Sequence, residues 1–231
     1  RKSFYIHNPT FDIRLYDDSD NRMYIESRCT SFLDVYDYFP REIFRADTIR
    51  PFYMFFDGGF YADMDFECLK PLAGYLSSDD IIVGSMGVDP SFPHSIPNAM
   101  FASPPFEGFW LLYLSEIALH HEKAIHLKAE YVTGPVVLKR CVEEYLESKE
   151  RAISRVRQFH KDYRVGVPFE QIRFSDIRIL PGIEWYPLDW SDAIHLKFRN
   201  ELLQSKKVLG TSEVELLFER SNAVTYWTHT R

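Results

Sequence analysis

Apolar residues between Arg41 and Phe56 recur at Ile43, Phe44, Ile49, Phe52, Tyr53 and Phe56, and this spacing predicts a helix with one buried face. Pro51 interrupts it, because proline lacks the backbone donor and crowds the preceding turn at about 3 kcal/mol in a helix interior. The helix is therefore expected to start near Asp47 or Thr48, or to kink there. Gly58 can take the left-handed conformation that ends a helix, and Gly59 permits a sharp turn. The next residues, FYADMDFE, alternate. In an extended strand Phe60, Ala62, Met64 and Phe66 share one face, and Tyr61, Asp63, Asp65 and Glu67 share the other. The expectation is a core face and an acidic face.

Elsewhere FDIRLY (11–16) reads as a strand and DDSDNRMYIESR as a helix capped by Ser19 or Asp20. Ser31 and Asp34 have capping-box spacing before a further short helix. Strands are expected at 81–86, 98–103 and 177–180, with helices around 105–122 and 135–152. This alternation predicts an α/β domain. Residues 151–173 are the most polar stretch and read as a surface excursion.

Composition narrows the setting. The chain has 231 residues, 45% of them hydrophobic, enough for one large domain or two small ones with a substantial core. A formal charge of -7 and the lack of a dense Lys/Arg run argue against nucleic acid as the main partner. Cys29, Cys68 and Cys141 are odd in number and far apart, which indicates neither a disulfide framework nor a zinc site and favours a reducing compartment. The longest apolar runs, at 51–56 and 109–114, fall well short of the ~20 residues that cross a bilayer. Residues upstream of Arg1, a membrane anchor or targeting segment among them, lie outside this reading.

Two acids on one strand face sit roughly 6.5 to 7 Å apart along the strand. That separation suits one carboxylate on a divalent cation and the other on a neighbouring group. Hard oxygen ligands favour Mg²⁺ or Mn²⁺, which fill their coordination from phosphates and water, so a diphosphate ligand follows. The alternative is a solvated acidic face on an edge strand. Other catalytic patterns fail. His121 and His126 are five apart, which is not the H-E-x-x-H spacing, and they read as surface histidines. VGSMG has Val83 where a nucleophile elbow needs glycine.

The longer segment RADTIRPFYMFFDGGFYADMDFECLKPL resembles the DXD-containing sugar transferases of glycosyltransferase family 32, a group of capsule, lipopolysaccharide and initiating mannosyltransferase enzymes. Arg45, Ala46, Asp47, Arg50, Gly58, Gly59, Tyr61, Asp63, Asp65, Lys70, Pro71 and Leu72 carry the likeness. It continues through NPTFDIRLYDD, Asn98 in NAMFAS, TGP at 133–135, EWYPLDW at 184–190 and YWTH at 226–229. Family members usually have a strand upstream of the NPxF segment and a Ser-Trp pair beyond the terminal histidine, and this sequence has neither.

The resemblance implies a GT-A-type nucleotide-sugar-binding α/β fold, with a central mixed, mainly parallel sheet flanked by helices, spanning residues 1–231 as a single catalytic domain without the family's first strand. By the same resemblance Asp65 contacts the metal, while Asp63 holds the ribose and donor sugar and reaches the metal through water. Asp47 and Arg50 face the donor sugar, as part of a donor-binding set with Gly59 and Tyr61, and His229 reaches the metal or the diphosphate. Asn98 either orients the sugar or acceptor or satisfies backbone at a strand start. Trp185, Tyr186, Trp190 and Trp227 are candidates to stack on sugar rings, with core packing the commoner fate of aromatics in such a chain.

The implied reaction is metal-dependent, retaining transfer of a hexosyl unit from a UDP- or GDP-sugar to a hydroxyl of a glycan or glycolipid. Mn²⁺ or Mg²⁺ is the cofactor. Asp63, Asp65, Arg50 and Asn98 carry the chemistry, and no protein nucleophile is assigned. The expected location is cytoplasmic, at the inner face of a membrane, with the Golgi lumen as alternative. A nucleotide-sugar hydrolase or phosphoesterase and a non-catalytic sugar-binding domain are the rival functions.

Overall fold

The structure is a computed structural model that describes residues 2–87, 89–189, 192–205 and 218–227. The chain opens with α1 (Lys2–His7), α2 (Asp18–Cys29), α3 (Leu33–Tyr38) and α4 (Glu42–Phe56). Strands β1 (Gly59–Ala62), β2 (Phe66–Cys68), β3 (Ile81–Gly84) and β4 (Met100–Ser103) follow. Next come α5 (Gly108–His120), α6 (Ala129–Val132), α7 (Pro135–Glu147), α8 (Lys149–Asp162), β5 (Ile177–Leu180), α9 (Gly182–Trp185), α10 (Ala193–Ser205) and β6 (Ala223–Thr225).

Four strands form one sheet in the order β1-β4-β3-β5. β4 runs antiparallel to both β1 and β3, and β3 runs parallel to β5. Three of the four strands therefore point the same way, and β4, lying between β1 and β3, points the other. The mixed α/β expectation is borne out; parallel strands dominate by direction although two of the three pairings are antiparallel. A separate ribbon pairs β2 with β6.

Alternation along each strand feeds two cores. Ile81, Val83, Phe101 and Tyr61 pack with the α2, α4, α5, α7 and α8 side, whereas Ile82, Met100, Ala102, Phe60 and Ala62 pack with Trp185, Tyr186 and Tyr75. A sheet covered on both faces must be apolar on both, which is why IIV at 81–83 carries no polar alternation.

Several expectations are corrected. β1 ends at Ala62, and Asp63 to Asp65 occupy a turn closed by the Phe66 amide on the Asp63 carbonyl at 3.1 Å. The two acids thus do not share one strand face, and Met64, assigned above to the core face, is 78% exposed. The bend releases β2 from the sheet to pair with β6. α4 is continuous from Glu42 through Pro51, neither starting at Asp47 nor broken there by a helix end. Complete burial of Phe44, Phe52 and Phe55, at about 1.5–3 kcal/mol each, outweighs the local cost of proline.

The segment 11–16 forms no strand; its terminal aromatics instead stack, Phe11 on Phe60 and Tyr16 on Tyr53. Asp17, not Ser19 or Asp20, caps α2, and Asp20 completes the box by accepting from the Asp17 amide at 3.0 Å. Ser31 makes no cap; its hydroxyl donates to the Tyr163 carbonyl. The predicted helix at 135–152 is two helices that break at Ser148, whose hydroxyl accepts from the Arg151 amide at 3.3 Å. α8 also overturns the surface excursion, because it buries Ala152, Val156 and Phe159 while its charged residues face solvent or pair. All three cysteines are free and buried. Among the described residues no helix is long and apolar enough to cross a membrane.

Gly58 and Gly59 have φ of 64° and 82°, the left-handed region that disfavours side chains. A Cβ on Gly58 would lie 2.5 Å from the Pro105 nitrogen, whereas one on Gly59 meets nothing within 4 Å. Gly59→Ala should cost roughly 1–2 kcal/mol, from conformation alone. Gly58→Ala should cost clearly more, since backbone must also move, and urea midpoints of the two variants measured side by side check the order.

Candidate active site

Four chain segments converge where β1 ends. α4 supplies Asp47 and Arg50, three residues apart and so on one helix face. β1 and its following turn supply Tyr61, Asp63 and Asp65, and the approach to β4 supplies Asn98. Beyond α6, Thr133 closes the group from the side.

Arg50 is the hub. Its Nη1 donates to Asp47 Oδ1 at 2.7 Å and to the Asn98 carbonyl at 3.0 Å, its Nε donates to the Tyr61 hydroxyl at 2.9 Å, and its Nη2 lies 2.9 Å from Asp63 Oδ1. Tyr61 in turn donates its hydroxyl proton to Asp63 Oδ1 at 2.6 Å. The far carboxylate, Asp47, accepts from the Asn98 side-chain amide at 3.0 Å and from the Thr133 hydroxyl at 3.0 Å. Thr133 is itself held by Tyr113, whose hydroxyl donates to the Thr133 carbonyl at 2.5 Å.

Arg50, Asp47, Asn98 and Thr133 are buried, while Asp63 keeps 27% of its side chain exposed. The network therefore runs from the interior to an open end. Burial disfavours charge on Arg50, yet Asp63, Tyr61 and Asp47 more than offset it and raise its pKa well above the ordinary value. Burial pushes the Asp47 carboxyl up, against the opposing pull of Arg50, Asn98 and Thr133. The Tyr61 hydroxyl is pushed up by burial as well, which keeps it a neutral donor toward Asp63.

Asp47, Arg50, Tyr61, Asp63 and Asn98 are thus brought together as the sequence reading required, with Asp65 two residues past Asp63 in the half-buried turn. Gly59 lies at the start of the same strand, where its conformation steers the turn out of α4. His229 and Trp190 lie outside the described residues. Trp185 and Tyr186 are core residues, fully enclosed beneath β3, and Trp227 stacks on Tyr186 at 5.7 Å. The sequence reading missed Thr133 as a member of the site; the TGP segment was visible, but its contact with Asp47 spans 86 residues.

Among the described residues no cluster of three or more His, Cys, Asp or Glu side chains gathers as a closed metal cage. What the site offers is two carboxylates at a strand end, with Arg50 already engaged by Asp63. Two carboxylates here would repel an anion as charged as a diphosphate, and a cation beside them would offset that repulsion. Oxygen donors in small number fit Mg²⁺ or Mn²⁺, which keep positions for phosphate and water.

The site thus sets a helix-borne Asp/Arg pair against a D-x-D turn at the end of a strand. Residues 1–86 match the family described as "Glycosyltransferase sugar-binding region containing DXD motif". Two curated relatives come from Schizosaccharomyces pombe. Inositol phosphoceramide mannosyltransferase 3 is 26% identical over 187 residues, covering 79% of this chain and 49% of the relative. Inositol phosphoceramide mannosyltransferase 2 is 25% identical over 140 residues, covering 60% of this chain and 39% of the relative. The chain therefore spans less than half the length of either. Among solved structures, PaToxG Glycosyltransferase aligns with a TM-score of 0.43 and 18% identity, over 64% of this chain and 54% of that one.

Proposed function

We propose that this chain transfers a hexosyl unit from a nucleoside-diphosphate sugar to a hydroxyl of a glycolipid or glycan, with retention at the anomeric carbon and with Mn²⁺ or Mg²⁺ as cofactor. The observation that carries this reading is the buried guanidinium of Arg50, pinned by Asp47 and Tyr61 and aimed at Asp63 within the family-matching segment.

Each residue then has a task. Asp65 and Asp63 would hold the cation, which when bound would act as a Lewis acid on the departing diphosphate. Four of the five N–H donors of Arg50 are engaged among the described residues, so one direction of its fork serves the donor sugar or phosphate. That donor is preorganised, because Asp47 and Asn98 fix the guanidinium before any ligand arrives, and fixed donors are worth most where charge develops. Asp47 acts chiefly through Arg50 and Asn98, since its carboxylate already accepts from three side chains. Asn98 acts as a positioning residue: its backbone carbonyl accepts from Arg50 and its side-chain amide donates to Asp47.

A lipid-linked acceptor is supported by the names of the two relatives, which state mannosyl transfer with inositol phosphoceramide. Such an acceptor places the site at a membrane face. The test is a panel of UDP- and GDP-hexoses with Mn²⁺, read for nucleoside diphosphate release with and without acceptor. Acceptor-dependent release with a glycosylated product is expected. Equal release without acceptor, giving free sugar, would instead mark a hydrolase, and metal-linked binding with no release would mark a binding domain.

A further inference from the structure

An open cavity of about 420 Å³ lies on the surface between the end of α3 and the segment that precedes α6. Its walls are Pro40, Arg41, Ala124, Ile125, His126, Leu127 and Lys128, with no acidic side chain among these described residues. Ile125 is 63% exposed and Leu127 43%, two large aliphatic side chains presented by one short segment. Tyr38, 40% exposed, makes an edge contact with His121 at 5.0 Å, at the start of the turn that carries Ile125. Arg41, His126 and Lys128 are all exposed around the same opening. Glu42 and Glu122 lie nearby in sequence but do not line it.

We infer that this face docks on an anionic lipid bilayer, with the aliphatic side chains entering the headgroup boundary and a lipid phosphate seated between Arg41 and Lys128. Charge complementarity carries the choice of occupant. The chain as a whole is at -7 and is repelled by an anionic surface, so a face that sets two permanent cations around an opening free of acids is the orientation such a surface selects. Exposed aliphatics flanked by long cationic side chains match both layers of a bilayer interface, apolar below and phosphate above.

The position of the face fits the proposed reaction, and in its purpose, though not in its observations, the inference rests on that reading. Arg41 immediately precedes α4, and Asp47 follows six residues on, roughly 9 Å along the helix axis. Lys128 immediately precedes α6, whose far end presents Thr133 to Asp47.

The test is cosedimentation of the intact chain with phosphatidylcholine vesicles prepared with and without phosphatidylserine, with no sugar nucleotide, acceptor or metal added. Binding to the phosphatidylserine vesicles alone is expected, weakening as salt is raised. Arg41→Gln with Lys128→Gln should lower the vesicle partition coefficient about 25-fold, from about fivefold per cation. Ile125→Ser with Leu127→Ser should lower it as well, and all four sites are exposed, so unchanged thermal unfolding confirms that each variant is folded. Equal binding by native chain and variants, or no binding by the native chain, overturns the inference and leaves the face to a protein partner. Because the assay contains no reactants, vesicle binding without any sugar transfer would sink the proposed reaction alone, and transfer to a soluble acceptor without vesicle binding would sink the docking alone.

Discussion

Replacing Asp65 by Asn lowers the rate of sugar transfer roughly a thousandfold, while the unfolding free energy stays within about 0.5 kcal/mol of the native value. The size follows from the charge balance at the end of β1. A departing nucleoside diphosphate gathers negative charge where Asp63 and Asp65 are already negative, and Arg50 spends part of its own charge on Asp63. A divalent cation held by the turn would supply several kcal/mol of stabilisation at that point, and a thousandfold corresponds to about 4 kcal/mol. Asn keeps the shape of Asp and the turn stays closed by the Phe66 amide, so the loss falls on the reaction and not on folding. Initial rates at saturating Mn²⁺, beside urea unfolding of the same preparation, decide it; a fall of less than about threefold would remove the metal from the account.

Arg50→Leu has the largest expected effect on stability, a loss of about 3–5 kcal/mol at neutral pH. The pair it breaks is buried on both sides, with Asp47 4% and Arg50 7% exposed. Removing the guanidinium leaves the Asp47 carboxylate in the interior with Asn98 and Thr133 as its remaining donors. The double variant Asp47→Asn with Arg50→Leu should recover part of the loss, because no charge is then buried alone.

The pH dependence has a definite sign. Burial already raises the Asp47 pKa in the folded chain, and loss of Arg50 raises it further. The native state then binds the proton more tightly than the unfolded state, so the defect of Arg50→Leu is smallest in acid and grows as pH rises above the ordinary aspartate range. Urea unfolding of the single and double variants near pH 4 and pH 7 measures this. A single-variant loss under about 1 kcal/mol at both would mean that the pair is not buried as described.

Much of this was legible in the sequence because local rules and tertiary structure agree. The Gly58–Gly59 stop, the strands around 81–84, 100–103 and 177–180, and the Asp47–Arg50 pair one helical turn apart all follow from spacing that the fold preserves. The bend at Asp63–Asp65 was not legible, since apolar residues continue to alternate through Phe66 after the chain has left the sheet. Pro51 misled because its cost is local while the burial that outweighs it comes from distant parts of the core. The polar composition of α8 likewise hid three well-spaced buried residues. Thr133 and Asp47 meet through a contact that no local pattern encodes.

The central claim is that the acids after β1 hold a divalent cation which in turn holds a nucleoside diphosphate. Calorimetric titration of UDP and GDP into the native chain, with and without Mn²⁺, addresses it most directly, with Asp65→Asn as the companion. Affinity for one of the two nucleotides should rise at least about tenfold with Mn²⁺, and the gain should vanish in Asp65→Asn. Nucleotide binding that is equally tight without the ion, or a Mn²⁺ gain that survives the substitution intact, would contradict the account.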